Sequence, residues 1–407
     1  MKKKLLIFGS VFTLILITIL MIFILSKEKK WTKENSLTIT LSPPIYDSGN
    51  LNTLTDAVEN SIEYFKKKIN SDFFYSGKKF SGYSVLNSLK DFKSELNKSG
   101  LTQNFFSYIK ENYLFFESQS GKVLFTGYFE AELKGSREQD DQFRFPLYKT
   151  PEDLVKIDLS KFKFYKKFNS LPSVLRGRIT EDKRIIPYYG RKEIDNENVL
   201  SGKGLELIWI DNRVDLFFLQ IQGSGIVTLN DGSSIRVNYS DSNGHPYRSI
   251  GKYLVENNIC SYDDLSMQFI KKYISDHPSE TDEILNYNQS YVFFREVDEG
   301  PVGSLGVIVT PFRTIATDRK IFPKGALCYI ETKLPVFNKN GSISGYSAFK
   351  GFMLNQDTGG AIKTPGRADI FCGHGKDSEL IAGHLKEYGK LYFLIKKDLN
   401  GFRSDED

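Results

Sequence analysis

Two aspartates that frame a glycine-rich loop are the densest group of chemically useful residues in the sequence. Asp357 stands before Gly359 and Gly360, and Asp369 stands before the apolar Ile370. The apolar residue predicts a strand with one buried face that starts at Asp369, which puts its carboxyl at the edge of an apolar surface. Burial raises the pKa of a carboxyl, as a general acid near neutral pH requires. The segment predicts acid–base chemistry, although Asp-Thr-Gly-Gly is also ordinary β-turn chemistry.

Other residues of the same loop are suited to binding a polar ligand. Gly359 and Gly360 have no side chain, so the backbone can approach a ligand closely. Lys363 and Arg367 are cations. Either could pair with an anionic group of a ligand, but Lys363 could equally face solvent, and Arg367 could pair with one of the aspartates.

Charge and cysteine content exclude several function classes. The 407 residues carry a net charge of +5 with acidic and basic residues interspersed, so no basic stripe exists that would neutralise a nucleic-acid backbone. Zinc-finger spacing and a Walker-type loop are also missing from the sequence. Cys260, Cys328 and Cys372 form no CxxC pair, which predicts free thiols and leaves one disulfide open. We predict no metal site, no cofactor and no nucleic-acid partner.

The N-terminal segment has the length of a membrane anchor. After three lysines, an uncharged and mostly apolar run begins at Leu5 and ends at Leu25. A bilayer core is crossed by about 20 apolar residues. No small-residue cleavage site follows, so we expect an uncleaved transmembrane helix within residues 1–27. Lysines flank both ends, and the long downstream body favours an N terminus inside and a body outside.

Periodicity predicts an α+β chain that is mainly β. We expect a strand at residues 37–41, then helices at 54–69, 85–96 and 105–113. From about Lys122 to about residue 240 the period is two, which predicts short strands and turns. Helices return between 249 and 286, and strands at 305–309, 327–331, 346–354 and 391–395. A late helix between the last two strands is expected to stop at Gly389.

Several motifs, in order, resemble one protein family. The loop contains Gln-Asp-Thr-Gly-Gly-Ala-Ile-Lys at 356–363 and Gly-Arg-Ala-Asp-Ile-Phe at 366–371. Both are similar to the active-site motif of the membrane-bound lytic murein transglycosylase A family. Residues 125–130, 217–225, 243–251, 288–294 and 303–306 also resemble that family. The similarity runs from about residue 120 to about residue 397.

The resemblance implies a two-domain architecture. Residues 28–120 and 288–400 would together complete a double-psi β-barrel with a helical lead-in. Residues 121–287 would form an inserted, glycan-binding β-domain, and the glycan would lie in a groove between the two, where ligand sites commonly occur. The partner implied is the peptidoglycan glycan strand, with the body facing the periplasm or cell wall. Cell-wall synthase complexes are further candidate partners. The resemblance does not decide between the inner and the outer membrane.

The resemblance also implies the reaction. The family is of lyases that cut the β-1,4 bond between N-acetylmuramic acid and N-acetylglucosamine and leave a 1,6-anhydro ring. Asp369 would be the single acid/base and Asp357 the supporting carboxylate, or the two roles would be reversed. Two other functions stay open, because a fold does not fix a function. One is a non-catalytic, expansin-like wall-binding protein, and the other is a hydrolytic glycosidase on another polysaccharide.

The matching motifs imply a set of substrate-binding residues. Gln220 and Gln222 are predicted to share one face of a strand, directed either to the groove or to solvent. Gly223 and Gly225 are open to a structural interpretation as well, in which they only mark a bulge. The complete set is Thr126, Gly127, Tyr128, Gln220, Gln222, Gly223, Ser224, Asn243, Tyr247, Gly359, Gly360, Lys363 and Arg367. His374 and His384 are expected to be structural.

Overall fold

The structure is a computed structural model that describes residues 30–47, 49–162 and 172–397. The apolar run from Leu5 to Leu25, with its expected anchor helix, lies outside the described residues. Within the described ranges, no helix is both long enough and apolar enough to cross a membrane. The fold given below is that of the chain from residue 30 onward.

Nine α-helices lie within the described residues, and the first three precede the long strands. They are α1 (Leu51–Lys66), α2 (Gly82–Ser99), α3 (Gln103–Asn112), α4 (Arg191–Asp195), α5 (Arg213–Gln222), α6 (Ile250–Glu256), α7 (Met267–Asp276), α8 (Thr281–Tyr287) and α9 (Lys376–His384). Helices α1 to α3 follow Asn50, Ser81 and Thr102, whose side chains each accept a hydrogen bond from a backbone N–H of the first turn. Each buries its apolar face, and the three helices predicted between residues 54 and 113 are confirmed.

Eighteen strands are present in the same described ranges. They are β1 (Leu37–Thr40), β2 (Asp72–Tyr75), β3 (Lys78–Ser81), β4 (Tyr113–Ser118), β5 (Val123–Ser136), β6 (Phe145–Tyr148), β7 (Val155–Asp158), β8 (Val174–Ile179), β9 (Ile185–Pro187), β10 (Glu206–Ile210), β11 (Ser224–Leu229), β12 (Ser234–Ser242), β13 (Val292–Val297), β14 (Thr314–Ala316), β15 (Leu327–Phe337), β16 (Ile343–Asp357), β17 (Arg367–His374) and β18 (Lys386–Lys396). One sheet has 13 strands, of which eleven follow the order β1-β4-β18-β15-β16-β14-β17-β5-β11-β12-β13. The other two branch from β5: β10 pairs with β5, and β6 pairs with β10. Strands β2–β3 and β7–β9 form two small sheets. The chain is the sheet-rich α+β protein that the sequence predicted.

Six strands of the large sheet pair in a circuit that returns to its starting strand. Strand β5 pairs with β17 in parallel, β17 with β14 antiparallel, and β14 with β16 in parallel. Strand β16 then pairs with β15, β15 with β18, and β18 pairs back with β5, all antiparallel. Because each of the six strands has a partner on both sides, the circuit has no free edge along these paired residues.

The close approach of β18 to β15 requires a glycine where β18 also pairs with β5. Gly389 pairs with Val123 of β5, and a Cβ on Gly389 would lie 2.0 Å from the carbonyl oxygen of Glu331 in β15. The expectation that Gly389 stops the late helix is wrong. Helix α9 ends at His384, and Gly389 lies inside β18, where the strand passes too close to β15 for any side chain.

Strand β5 also joins this circuit to the rest of the sheet. Its earlier residues pair with β17 and β18, whereas Ala131 onward pair in parallel with β11, and Gly135 pairs with Ile210 of β10. Apolar residues from this second part and from the neighbouring helices form a buried cluster that includes Leu219 and Val227. One strand therefore supplies residues to both parts of the sheet.

Two further segments differ from the sequence expectation. Residues 217–222, expected as a strand with Gln220 and Gln222 on one face, belong to helix α5. The expected strand at 305–309 is a turn, in which the N–H of Gly306 donates to the carbonyl of Gly303 at 2.9 Å. Short apolar runs fit either a strand or a buried helix, and tertiary packing decides between them.

A buried ion pair fastens the segment before α1 to the sheet. Arg313 donates from Nη1 to Asp47 Oδ2 at 2.7 Å and from Nη2 to Oδ1 at 3.0 Å, and neither side chain is more than 2% exposed. Asp47 also accepts from the backbone N–H of Phe352 in β16 at 2.7 Å. Charges buried this deeply need several partners, and these contacts supply them. They hold the segment before α1 beside the strand that leads to Asp357.

Candidate active site

Strand β14 places the two predicted catalytic aspartates on its two sides. Ala316, the last residue of this short strand, pairs with Asp357 at the end of β16 and with Asp369 near the start of β17. Neighbouring strands are about 4.8 Å apart, so the two backbones are roughly 10 Å apart at this point. The fold therefore brings both aspartates to one place, with the glycine-rich loop joining them.

Two side chains hold the carboxyl of Asp369. Thr126, its register partner on the parallel strand β5, donates from Oγ1 to Asp369 Oδ1 at 2.5 Å. Arg367 donates from Nε to Oδ1 at 2.9 Å and from Nη2 to Oδ2 at 3.2 Å. Arg367 Nη2 also donates to Thr126 Oγ1 at 3.2 Å, so the three side chains form a closed triangle. The Asp369 side chain is still 15% exposed, which leaves it within reach of a ligand.

Asp357 is fixed by three donors. Its Oδ1 accepts from the backbone N–H of Ser304 at 2.9 Å and from that of Thr358 at 2.8 Å. Its Oδ2 accepts from the hydroxyl of Tyr128 at 3.0 Å. Burial raises the pKa of Asp357, while the hydrogen bonds from these three donors act in the opposite direction. The carboxyl fastens the start of the glycine-rich loop to strand β5 and to the turn at 303–306.

Tyr128 lies close to both carboxyls. It follows Thr126 by two residues on β5, so the two side chains lie on the same face of the strand. Burial raises the pKa of Tyr128 well above its usual value, and the charges of Asp357 and Asp369 raise it further. Its ring centroid is 5.2 Å from that of Phe371. Tyr128 therefore remains a neutral hydroxyl that donates to Asp357.

The glycine-rich loop leaves space beside Asp369. A Cβ on Gly359 would lie 3.7 Å from Asp369 Oδ2 and 3.0 Å from Ile362 Cδ1. A Cβ on Gly360 would meet no other atom within 4 Å. Lys363 is exposed in the same loop. A side chain at Gly359 would therefore contact both Ile362 and the Oδ2 atom of Asp369.

Tyr247 approaches the site from the segment before α6. It is 38% exposed, and its hydroxyl contacts Ser249, the residue that caps α6. Burial of the hydroxyl raises the pKa of Tyr247; Arg367 lowers it and Asp369 raises it, so both charges lie nearby. An exposed aromatic ring on the segment before α6 is a suitable surface for a sugar ring.

Gly127 lies beside the site and serves packing. It pairs with Ile370 of β17. A Cβ here would lie 2.5 Å from the Cα of Ala382 in α9 and 3.1 Å from the Sγ of Cys372. The glycine therefore lets helix α9 pack directly against the two strands that carry Thr126 and Asp369.

The residues at the end of helix α5 contact the protein's own groups. Gln220 is 4% exposed, and its Oε1 accepts from Arg191 Nη2 at 2.6 Å. Gln222 Oε1 accepts from the backbone N–H of Phe129 at 3.1 Å. Gly223 ends the helix with a φ of +83°, a conformation in which glycine carries no steric cost, so it is a helix terminator and not a bulge. A role for these residues in substrate binding stays a prediction.

Ser224 and Asn243 are similarly engaged within the fold. Ser224 begins β11 and is 6% exposed. Asn243 is 1% exposed and donates from Nδ2 to the backbone carbonyls of Tyr189 and Gln289, both at 2.9 Å. Its Oδ1 accepts from the N–H of Tyr291 at 2.9 Å. Asn243 therefore ties three segments together through their backbones, and its contact with substrate also stays a prediction.

The sequence analysis did not select Ser304 or Ala316 as site residues. Both act through the backbone, which leaves no signal in residue type. The only available signal was that residues 303–306 resemble the family motif. In the part of the chain that the structure describes, no group of three or more His, Cys, Asp or Glu side chains could hold a metal ion.

Two family models match different parts of the chain. The family model described as the MltA specific insert domain matches residues 124–295, and that of the 3D domain matches residues 313–395. The chain is 31% identical over 279 residues to the membrane-bound lytic murein transglycosylase A of Vibrio cholerae. That alignment covers 68% of this chain and 66% of the relative, so the chain spans about two thirds of the relative's length.

Solved structures share the fold. The membrane-bound lytic murein transglycosylase from Agrobacterium tumefaciens matches with a TM-score of 0.73 and 28% identity, over 89% of this chain and 98% of that chain. MltA from Neisseria gonorrhoeae matches with a TM-score of 0.63 and 28% identity, over 88% and 92%. Both family models, the sequence relatives and the shared fold agree that this chain belongs to the membrane-bound lytic murein transglycosylase A family.

Proposed function

We propose that this chain is a lytic transglycosylase of peptidoglycan. It cuts the β-1,4 bond between N-acetylmuramic acid and N-acetylglucosamine without water and leaves a 1,6-anhydro-muramic end. The observation that carries the proposal is the Asp369 carboxyl, which is partly exposed and is held by Thr126 and Arg367. The names of the relatives indicate the same reaction.

Asp369 acts twice in the proposed reaction. As a protonated acid it gives its proton to the glycosidic oxygen while the bond to the anomeric carbon breaks. As a carboxylate it then takes the proton of the muramic C6 hydroxyl, whose oxygen bonds to the anomeric carbon and closes the ring. This differs from the two-carboxylate scheme of ordinary glycosidases. The nucleophile is part of the substrate, so the advantage of proximity is built in.

Asp357 supports this chemistry in our proposal. Its Oδ1 accepts from the backbone N–H groups of Ser304 and Thr358, and its Oδ2 accepts from the hydroxyl of Tyr128, so we assign it the fixing of the loop and not the proton transfer. It fixes the loop that starts at Thr358 and orients Tyr128. The loop that leads from Asp357 to Asp369 is thereby held in place at its start.

Substrate binding is proposed for the residues that surround Asp369 and for those along the same groove. The first group is Thr126, Tyr128, Tyr247, Gly359, Gly360, Lys363 and Arg367. The second group is Gly127, Gln220, Gln222, Gly223, Ser224 and Asn243, which support the walls through contacts inside the fold. No metal or cofactor enters the proposed reaction.

The domain division is also part of the proposal. Residues 28–120 and 288–400 form the catalytic body, and the six-strand circuit is its double-psi β-barrel. Residues 121–287 form the glycan-binding insert, with β5 shared because its first residues pair with β17 and β18. The support for two domains is that one family model matches residues 124–295 and a different one matches residues 313–395.

We place the body on the cell-wall side of a membrane, tethered by the run from Leu5 to Leu25. The support is the apolar length of that run and the membrane-bound names of the relatives. Protease added to spheroplasts should digest the body. Protection of residues beyond 30 would contradict the topology, and release of a shortened soluble form would contradict the anchor.

Digestion of purified peptidoglycan followed by mass spectrometry tests the function. We expect 1,6-anhydro-muropeptides as products. Reducing ends would identify a hydrolase, and an unchanged polymer would identify a wall-binding protein. Either of those results would overturn the proposal.

A further inference from the structure

A loop that carries two exposed cations begins beside the candidate active site. This loop, residues 317–326, directly follows Ala316, which pairs with both predicted catalytic aspartates. Arg319 and Lys320 are exposed on it. Consecutive Cα atoms are about 3.8 Å apart, so the Cα of Arg319 lies within about 11 Å of that of Ala316. Both cations are therefore close to the site along the chain and in space.

The loop at 317–326 is held at both ends by one residue of β16. Asn355 is 3% exposed, and its Oδ1 accepts from the hydroxyl of Thr317 at 2.8 Å. Its backbone carbonyl accepts from the N–H of Gly325 at 2.7 Å, and its Nδ2 donates to the carbonyl of Pro323 at 2.9 Å. The cations on this loop therefore have a fixed place beside the strand that leads to the glycine-rich loop.

Lys363 brings a third cation to the same surface from the glycine-rich loop. Its side chain is exposed. Partial desolvation lowers the pKa of Lys363, and the charge of Asp318 raises it. The charges of Lys320 and Arg319 lower it, so these charges lie close to Lys363. The fold thus gathers three cations from two loops that adjoin the site.

The carboxylate among these cations is engaged within its own loop. Asp318 is 6% exposed, and its Oδ1 accepts from the backbone N–H of Lys320 at 3.0 Å. The side chains of Arg319, Lys320 and Lys363 make no ion pair with any residue that the structure describes. Three exposed cations against one buried carboxylate leave a positive surface, which attracts anionic groups of a ligand.

The peptide substituent of peptidoglycan is an anion that fits this surface. The lactyl group of N-acetylmuramic acid carries a stem peptide with free carboxylates. The peptide is attached to the sugar whose bond the proposed reaction cuts, so it leaves the glycan close to Asp369. A peptide of a few residues spans about 10–14 Å, which is enough to reach from the site to Arg319.

We propose that Arg319, Lys320 and Lys363 form a subsite for the carboxylates of the stem peptide, and that this chain prefers peptide-bearing glycan strands to strands without peptide. This inference rests on the proposed transglycosylase function and names the form of its substrate. Arg319 offers a planar guanidinium that binds a carboxylate with two parallel hydrogen bonds, and the two ammonium groups add point charges. The three residues bind substrate and do not react, so they act on KM and not on kcat.

Three forms of one glycan preparation test the inference with the wild-type full chain. Soluble, uncross-linked strands are used intact, with their carboxylates converted to methylamides, or with their peptides removed by an amidase. All three contain the bond that the proposed reaction cuts. At low salt, kcat/KM for intact strands should exceed that for methylamide strands on the order of tenfold, because one exposed ion pair changes an affinity about two- to fivefold and three act together. Strands without peptide, which keep only the lactyl carboxylate, should resemble the methylamide strands.

A double variant removes the two cations that lie outside the glycine-rich loop. Arg319→Gln combined with Lys320→Gln should raise KM for intact strands and bring the preference to within about twofold of none. Its kcat should stay unchanged, since neither side chain touches Asp369. Lys363→Gln should lower the preference in part. Raised salt should shrink the preference of the wild type in the same way, because exposed charges are screened.

Lys68→Gln is the matched control for the loss of positive charge. Lys68 is exposed and belongs to neither loop. Burial lowers the pKa of Lys324, and the charges of Arg319 and Lys68 lower it further, so Lys68 lies where the positive surface continues. The control should keep the preference for intact strands. Its loss in Lys68→Gln, to the same extent as in the double variant, would mean long-range attraction and would overturn the subsite.

The remaining outcomes separate the two ideas. If the wild type releases no anhydro ends from any strand, the proposed function fails, and this inference fails with it. If it releases them with equal kcat/KM from intact and methylamide strands, the inference alone is overturned. Strands without peptide that are cut as well as intact ones would also overturn it, since the lactyl carboxylate would then suffice. The same holds if the double variant, folded by circular dichroism, keeps the wild-type preference, which would leave these cations to another anion such as a lipid surface. The wild-type comparison needs no variant, so a misfolded variant does not protect the inference.

Discussion

Thr126 and Asp369 face each other on the parallel strands β5 and β17, and the hydroxyl of Thr126 donates to Asp369 Oδ1 at 2.5 Å. The register of the two strands fixes this pair, because Thr126 is the Cα partner of Asp369. One oxygen of the carboxyl is thus committed to the protein. The other oxygen, Oδ2, accepts from Arg367 Nη2 at the longer distance of 3.2 Å, and we propose that it carries the proton that moves to or from a substrate.

We expect Thr126→Val to lower kcat/KM about tenfold or more, since a hydrogen bond to a charged group contributes roughly 1.5–3 kcal/mol. Valine matches threonine in shape but has no hydroxyl. Thr126→Ser keeps the hydroxyl and should retain most of the activity. Kinetics on purified peptidoglycan, with thermal unfolding of each variant, provide the check. Equal activities of the valine and serine variants would show that this hydrogen bond has no role.

Asp369→Asn should abolish cleavage, with a loss of about a thousandfold or more if the general acid is removed. The variant should stay folded and should still bind glycan in a co-sedimentation assay. Asp357→Asn should cost less, because an amide oxygen can still accept from the N–H groups of Ser304 and Thr358. An inactive Asp357→Asn beside an active Asp369→Asn would reverse the two roles.

Gly359→Ala should reduce kcat/KM about tenfold, a central value for one obstructed contact at a reacting group. The added methyl would lie 3.7 Å from Asp369 Oδ2, on the side left open for substrate. Gly360→Ala in the same loop should cost less, because its Cβ meets nothing within 4 Å. Parallel kinetic measurements on the two variants make the comparison. A larger loss for Gly360→Ala would show that the glycan does not approach Asp369 from the Gly359 side.

The contribution of Asp357 to the stability of the folded protein should fall as the pH rises. Burial raises its pKa in the folded protein above the value of about 3.9 in an unfolded chain. The stability that Asp357 contributes is therefore fully present below about pH 4 and is lost as the pH rises through the raised, folded-state pKa. Asp357→Asn does not titrate. The free energy of unfolding of the wild type minus that of the variant, from denaturant titrations, should fall as the pH rises from 4 to 7; a constant or rising difference contradicts the burial effect.

How far the sequence predicted the site depends on the kind of contact. Asp357, Asp369 and Arg367 lie within one short motif, so residue types and the resemblance were enough to select them. Their partners Thr126 and Tyr128 came from a separate motif, and the strand pairing that brings β5 to β17 could not be deduced, since register between distant strands leaves little local signal. The contact between Ser304 and Asp357 uses a backbone N–H, which almost every residue type has, so the residue type at position 304 gave no signal for it.

The error at Gln220 and Gln222 has a different cause. The apolar and polar residues alternate there, which fits a strand, but the same residues also fit a buried helix face. Asn212 accepts hydrogen bonds from two N–H groups at the start of α5, and Gly223 ends the helix. Asn212 and Gly223 are standard signals for the start and the end of a helix, so the sequence could have predicted a helix between them.

Gly389→Ala should destabilise the fold strongly, by about 3 kcal/mol or more, because its Cβ would overlap a backbone carbonyl that cannot move away. The matched control is Gly345→Ala in β16, where a Cβ would meet nothing within 4 Å. That change should alter the midpoint of thermal unfolding little. Similar midpoints for the two variants would show that β18 and β15 can separate at this point.

The continuity of β5 limits how the site can open. Tyr128 pairs with Phe371, and Ala131 already pairs with Gly225 of β11. A hinge needs residues that can absorb changes in backbone angles, and a strand paired along its length has none to offer without breaking ladder hydrogen bonds. The two parts of the sheet joined by β5 should therefore move as one piece at this strand. Any adjustment to glycans of different thickness must come from loops, and the loop at 358–366, which joins the strands of Asp357 and Asp369, is the best placed to provide it.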